Sequence, residues 1–224
     1  MNKQILAQWI ELATVLFFGF GLFIYSSTYT LLTQSSHLHQ SYNSFDFYSI
    51  ALYEVFILGL IYIFLKKRKW DIQHFNLDFK WYMIGVALLL VTLQFLLSYT
   101  ADQLLIWASF FEGTSNPNID LEVNMLSILL MLLVNSIFEE VLLIGYLFKR
   151  LKRYPIAIPI VVGTLIRISF HTYQGIEEIP RVIILEFVLG IFYGKYKKLW
   201  PVILAHGIGN LIYFLNQEYQ WLEL

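Results

Sequence analysis

Long apolar stretches separated by short polar ones dominate the sequence. Residues 12–45 contain no Asp, Glu, Lys or Arg, and residues 81–101 contain none either. About 20 consecutive apolar residues are enough for a helix to cross a bilayer. The pattern predicts an all-α, polytopic membrane helix bundle with about seven spans, near 9–32, 47–65, 81–101, 123–148, 155–173, 181–194 and 200–217. We expect one integral membrane domain over residues 1–224.

The composition agrees with this pattern. The chain is 58% hydrophobic and 14% charged, whereas a soluble domain carries about 25% charged residues. These values exclude an ordinary soluble enzyme. The chain contains no cysteine, which excludes thiolate catalysis and Cys-ligated zinc.

The placement of the basic residues predicts the orientation of the bundle. They cluster at 66–69, 149–153 and 195–198, whereas 102–122 and 175–180 are acidic or neutral. Loops rich in Lys and Arg stay in the cytoplasm. We therefore predict a cytoplasmic N-terminus and a C-terminus outside, in a multi-pass protein of a bacterial plasma membrane.

Polar side chains inside the predicted spans are concentrated in the C-terminal half. An ionisable group in hydrocarbon is a functional candidate by default. Three pairs have i, i+4 spacing and therefore share a helix face. The candidates are Asn135, Glu139 and Glu140 in span four, Arg167 and His171 in span five, and His206 and Asn210 in span seven.

Two kinds of hydrolytic site fit these residues. A Glu and a His can polarise a water molecule while a His and an Asn donate hydrogen bonds to a developing oxyanion. Alternatively, Glu139, His171 and His206 could hold a zinc ion with an open water position. Both arrangements would hydrolyse an amide, and the sequence leaves both open.

Three motifs in order resemble a known family. They are Phe138-Glu139-Glu140 with the residues up to Tyr146, Arg167 to His171, and His206 to Asn210. Residues 120–217 resemble the CPBP family of intramembrane proteases, also called the Abi or type II CAAX prenyl endopeptidase family. The resemblance implies a catalytic core that cleaves a membrane-embedded or lipidated peptide. It also implies that Glu139 activates water with His171, that His206 and Asn210 bind the oxyanion, and that Glu140 is architectural.

The sequence departs from the family pattern at two positions. The arginine of the first motif is replaced by Ile144, and the phenylalanine of the second is replaced by Arg167. We hypothesise that Arg167 substitutes for the missing arginine and pairs with Glu140 or Glu139. Asn135, one turn before Glu139, is expected to support the site.

Two alternative functions remain open. A catalytically impaired member could bind and regulate another membrane protein, such as a sensor kinase or a cell-wall enzyme. A proton- or metal-coupled transporter is less consistent with the sequence, because no inverted repeat or pair of broken helices is visible. No nucleic-acid partner is expected.

The remaining buried polar residues are expected to have structural roles. Glu54 and Glu186 each stand alone in a span and are interpreted as packing or rim groups. Spans one to three are expected to carry little buried polarity. Span six, at about 14 residues, is short for a bilayer, so we predict that loop 175–180 dips inward and carries His171 toward Glu139.

Overall fold

Seven helices make up most of the described chain, which covers residues 3–33, 40–110 and 119–219 of a computed structural model. The helices are α1 Lys3–Thr33, α2 Ser44–Lys67, α3 Tyr82–Trp107, α4 Met125–Arg150, α5 Ala157–His171, α6 Ile179–Tyr196 and α7 Trp200–Tyr219. The strands among these residues are β1 Gln40–Asn43 and β2 Ile119–Glu122, which pair in parallel. The predicted all-α class is confirmed.

Four of the helices are long and apolar enough to cross a membrane, namely α1 to α4. The predicted total of seven spans and the orientation of the termini stay predictions. The length assigned to span six is wrong, because α6 has 18 residues and α5, with 15, is the shorter helix. At 1.5 Å per residue α5 reaches about 22 Å, less than the roughly 30 Å of a hydrocarbon core.

The centre of α4 is a π-helix from Glu140 to Tyr146. Such wide turns are rare and occur frequently at functional sites. Its residues are almost all buried, and a side chain on Gly145 would approach Phe75 Cδ1 to 3.0 Å and Leu199 Cδ2 to 3.2 Å. The wide turn therefore needs a glycine where neighbouring segments pack onto it.

Helix α4 forms the middle of the hydrophobic core. Phe138 of α4 and Phe170 of α5 both contact Phe20 of α1, at centroid distances of 5.6 and 5.1 Å. By contrast, α1 to α3 expose large apolar side chains on their outer faces, such as Phe17 and Leu89. An apolar outer surface is what a helix facing lipid requires, so the fold agrees with a membrane location.

The segment after α5 is held against α1. The hydroxyl groups of Ser27 and Thr172 are 2.8 Å apart, and the Tyr173 N–H donates to Ser27 Oγ at 2.9 Å. Ser27 lies six residues before the end of α1, which corresponds to about 9 Å along the helix. The first residues of this segment therefore lie well inside the end of α1, and the inward dip of loop 175–180 stays a prediction.

The buried carboxylate of Glu11 links the N-terminal part of α1 to the C-terminal part of α4. Glu11 is 3% exposed and accepts hydrogen bonds from Trp70 Nε1 at 3.0 Å and the Tyr146 hydroxyl at 3.2 Å. Arg150 Nη2 lies 3.3 Å from the same oxygen. The expectation of little buried polarity in the first spans is therefore wrong for Glu11.

Replacing Glu11 by alanine is expected to destabilise the protein. The change leaves Arg150 and the Tyr146 hydroxyl without their acceptor, and breaking a buried pair costs about 3–5 kcal/mol. Thermal unfolding of the detergent-solubilised protein measures the loss. Asp78→Ala is the control because Asp78 is exposed. Equal melting temperatures for the two variants would contradict a stabilising role for the Glu11 cluster.

Candidate functional site

Arg167 lies at the centre of the polar residues and is fully buried. Its guanidinium donates from Nη1 to Glu139 Oε2 at 2.6 Å and from Nη2 to Glu140 Oε1 at 2.8 Å. Its Nε donates to Glu186 Oε2 at 3.0 Å. The hypothesis that Arg167 pairs with Glu139 or Glu140 is confirmed, and it pairs with both.

The geometry of the guanidinium explains this arrangement. Its five N–H groups form a rigid planar fork that can bind more than one carboxylate at once. Here the fork joins α5 to α4 and α6. Glu186 was predicted to be an isolated packing group, and this is wrong because it completes the ring of acceptors around Arg167.

The network continues into α2 through Asn135. The Asn135 amide nitrogen donates to Glu54 Oε1 at 2.8 Å and to Glu139 Oε1 at 3.1 Å. Glu54 is fully buried. Asn135 therefore supports Glu139, as expected, whereas the isolation predicted for Glu54 is wrong.

His206 connects the network to α7. Its Nδ1 lies 2.6 Å from Glu140 Oε1, and its side chain is almost fully buried. A carboxylate acceptor at Nδ1 fixes the orientation of an imidazole ring and leaves Nε2 for other partners. Glu140 thus contacts both the Arg167 guanidinium and the ring of His206.

A cavity of about 160 Å³ lies beside this network. His171, His206 and Asn210 line it together, so three of the five predicted catalytic residues share one space. Neither Glu139 nor Glu140 is among the lining residues, and His206 belongs to both the network and the cavity. The lining residues are Gln94, Phe95, Ser98, Tyr99, Asp102, His171, Gln174, Glu178, Arg181, Val182, Leu185, His206, Gly209, Asn210, Tyr213 and Asn216.

His171 reaches the cavity from the end of α5. Its Nδ1 lies 2.9 Å from Gln174 Oε1, and its ring packs on Phe170 with centroids 4.7 Å apart. The contact with Gln174 fixes the ring because the amide oxygen is an acceptor. The position of His171 beside His206 and Asn210 therefore depends on the short turn that follows α5.

An ion-paired arginine lies at the other end of the cavity. Arg181 donates from Nε and Nη2 to Asp102 Oδ2 at 3.1 and 2.9 Å, and from Nη1 to Glu178 Oε1 at 2.7 Å. Burial raises the pKa of Glu178 above the ordinary glutamate value, and the Arg181 guanidinium opposes that rise. These contacts join α3, α6 and the turn before α6.

The donor atoms fit a metal ion poorly. Glu139, Glu140 and His206 offer ligand atoms within 4.8 Å of one another, so the group differs from the predicted set of Glu139, His171 and His206. The Arg167 guanidinium already binds both carboxylates. A zinc ion held by them would stand beside that positive charge, which opposes binding.

Sequence reasoning missed residues on three helices. Glu54 and Glu186 were singled out as buried acids, but spacing along the chain did not link them to the site. Gln94, Ser98 and Asp102 of α3 line the cavity without any preceding signal. The only signal in the sequence was an acidic residue in an apolar span. Such a residue requires a partner, but the sequence does not show which residue that partner is.

Comparison with known proteins supports the resemblance seen in the motifs. Residues 121–212 match the family described as type II CAAX prenyl endopeptidase Rce1-like. The predicted resemblance is confirmed over these residues. No match was found among curated proteins or among solved structures.

Replacing Gly163 by alanine is expected to displace Glu186. A methyl group at Gly163 would overlap Glu186 Oε1, so the carboxylate must move from Arg167 or the two helices must separate. We expect a lower melting temperature than in the wild type. Gly59→Ala is the matched control, because nothing lies within 4 Å of a methyl group there and removing a helix glycine adds about 0.5–1 kcal/mol. An unchanged melting temperature for Gly163→Ala would show that Glu186 has no fixed position.

Proposed function

We propose, from the match of residues 121–212 to a family of endopeptidases, that the protein is an intramembrane endopeptidase. Its substrate would be a membrane-embedded or lipidated peptide or protein. The observation that carries the proposal is the joint exposure of His171, His206 and Asn210 to one cavity, with His206 held by a buried carboxylate. The mechanism below uses only residues of this chain.

Glu139 and His171 are assigned to activate water. The two Glu139 oxygens accept from Asn135 and Arg167, and a carboxylate oxygen can accept a second hydrogen bond. Glu139 keeps 5% of its surface accessible, whereas Glu140 has none. His171 faces the cavity with Nδ1 directed to Gln174, so its Nε2 is free to take a proton. A water molecule held by both side chains would become the nucleophile.

His206 and Asn210 are assigned to bind the oxyanion. Attack on the scissile carbonyl carbon forms a tetrahedral intermediate whose oxygen carries a negative charge. Glu140 accepts from Nδ1 of His206 and orients the ring, so that Nε2 faces away from the carboxylate and is assigned to that oxygen. The Asn210 amide, one turn along the same helix, can supply a second donor.

Arg167 is assigned a positioning role. It holds Glu139 and Glu140 of α4 and Glu186 of α6 at hydrogen-bond distance. In a water-poor interior, two neighbouring carboxylates repel each other unless a cation lies between them. Arg167 therefore separates the two charges and fixes Glu139 and Glu140 in place.

The contact between Arg167 and Glu139 also favours a second function. Both Glu139 oxygens already accept hydrogen bonds, from Asn135 and Arg167, which leaves fewer lone pairs to hold a catalytic water. A member with this arrangement could have lost hydrolysis and could act as a scaffold or regulator of a partner membrane protein. Variants of the residues facing the cavity distinguish this function from proteolysis.

His171→Ala, His206→Ala and Asn210→Ala are each expected to lower proteolysis by about 100-fold or more, as loss of a general base or an oxyanion donor does. The readout is the set of new peptide termini, measured by mass spectrometry in membranes of cells that express each variant. His74→Ala is the control, because His74 lies in the 3-10 turn Ile72–Phe75 and does not line the cavity.

The same variants test the scaffold function. If all three retain the cellular phenotype of the wild type while deletion abolishes it, the scaffold function is supported and proteolysis is rejected. Comparable expression of every variant in the membrane fraction is required for this comparison.

Proteolysis is also expected to resist metal chelators. The Arg167 guanidinium already binds the carboxylates that a metal ion would need. Isolated membranes containing the protein should release the His171-dependent peptides equally with and without 1,10-phenanthroline. Loss of these peptides with the chelator and their return with zinc would contradict the metal-free mechanism.

A further inference from the structure

Two polar side chains of α3 line the cavity beside the proposed oxyanion residues. Gln94 and Ser98 are four residues apart, so they share one face of the helix. A methyl group on Gly209 would lie 3.8 Å from Gln94 Oε1, and Gly209 stands on α7 between His206 and Asn210. The Gln94 carboxamide is therefore located at the turn of α7 that carries the proposed oxyanion residues.

The amide oxygen of Gln94 has no hydrogen-bond partner within the described residues, although it is buried. An unsatisfied buried acceptor is costly. Nearly all buried polar groups in proteins have a partner, which is a protein group or water, and each exception calls for an explanation. Because Gln94 lines the cavity, the donor that this oxygen lacks is one that enters the cavity.

The Ser98 hydroxyl is free as well. A helix serine or threonine can donate to the carbonyl four residues earlier, and Thr92 and Thr100 of α3 do so at 2.9 and 2.7 Å. Ser98 is only 8% exposed, yet its hydroxyl makes no hydrogen bond to any residue that the structure describes. The wall formed by α3 thus offers an unused acceptor and an unused hydroxyl, one turn apart.

The distance between these two groups matches the repeat of an extended peptide. Four residues of helix correspond to about 6 Å. An extended chain advances about 3.3 Å per residue, and every second residue directs its peptide groups to the same edge, so that repeat is about 6.6 Å. A peptide that lies along α3 can therefore bind both side chains through its main chain.

A peptide cleaved within a membrane needs such contacts. The residues around the scissile bond must leave the helix, which removes the partners of their N–H and C=O groups. No water is available in the hydrocarbon to replace those partners, so the protein must supply them. A carboxamide and a hydroxyl in the cavity wall meet this need.

We propose that Gln94 and Ser98 bind the main chain of an extended substrate segment, with Gln94 accepting a peptide N–H and Ser98 bonding to the main chain two residues along. This inference rests on the proposed function. It makes recognition at this wall independent of the substrate side chains, because every residue except proline has a main-chain N–H. Proline is excluded from the position that meets Gln94.

Backbone methylation of a peptide tests these contacts. The probe is N-acetyl-trileucine methylamide, with analogues that each carry one N-methylated peptide bond. Binding to detergent-solubilised Tyr99→Cys protein is measured as slower labelling by a maleimide, because Tyr99 lines the cavity and the chain has no native cysteine. Gln73→Cys, on an exposed turn outside the cavity, is the control that the peptides should not protect.

We expect one methylated analogue to bind about three- to tenfold more weakly than the parent peptide, because it lacks the N–H that Gln94 accepts. This penalty should disappear when Gln94→Leu is added to Tyr99→Cys. It should persist when Thr92→Val is added instead, because Thr92 is a polar residue of α3 that does not line the cavity. Ser98→Ala should weaken binding of the parent peptide by a similar factor.

Two results would overturn the proposal. The first is no protection of Tyr99→Cys by any of the peptides, because main-chain contacts do not require the side chains of the natural substrate. The second is an equal penalty with Gln94→Leu and with Thr92→Val, which would make Gln94 a ligand of water alone.

Protection of the thiol needs no turnover, so the two proposals can fail separately. Binding that depends on Gln94, without any His171-dependent products in membranes, would reject the proposed function alone. His171-dependent products, without binding that depends on Gln94, would reject the contacts of α3 alone.

Thermal unfolding distinguishes binding from a structural role. Gln94→Leu removes an amide oxygen that bonds to no described residue, so the melting temperature should equal or exceed that of the wild type. A lower melting temperature would show that the fold itself uses the amide, and would contradict the proposal.

Discussion

A guanidinium enclosed in an apolar bundle imposes the main constraint on this protein. Arg167 has no access to water, so its charge and its N–H groups must be satisfied by other side chains. Three carboxylates from two other helices meet that need. Breaking a buried ion pair is strongly destabilising because it leaves an uncompensated charge. The relative positions of α4, α5 and α6 are therefore fixed by electrostatics as well as by packing.

The chemistry of the site follows from this constraint in two steps. Arg167 fixes Glu140, and Glu140 orients His206, which is the side chain shared by the ionic network and the cavity. Asn135 joins Glu139 to Glu54 and extends the network to α2. The buried charged side chains thus form a rigid network, and the groups assigned to contact substrate lie beside it. Hydrolysis and scaffolding would both depend on this network. They would differ only in what the cavity does.

The sequence predicted the features that arise within a single helix. It also predicted one pairing that followed from the small number of buried charges. Apolar runs identified the helices, and i, i+4 spacing placed Asn135 beside Glu139. The pairing of Arg167 was predictable because a lone buried cation had few anions to choose from. The partners of Glu11, Glu54 and Glu186 were not predictable, because spacing along one helix does not state which helix lies next to it. The contribution of α3 to the cavity was missed for the same reason.

The π-helix explains why the arginine had to come from another helix. In an α-helix the residue four positions after Glu140 lies over it, and that residue is Ile144. In a π-helix the hydrogen bonds run from i to i+5, so the residue above is Gly145. A side chain there would press against Phe75 and Leu199, which pack closely on the glycine. One additional residue in a turn thus changes which helix can neutralise Glu140, and an arginine restored at position 144 would point into the apolar core.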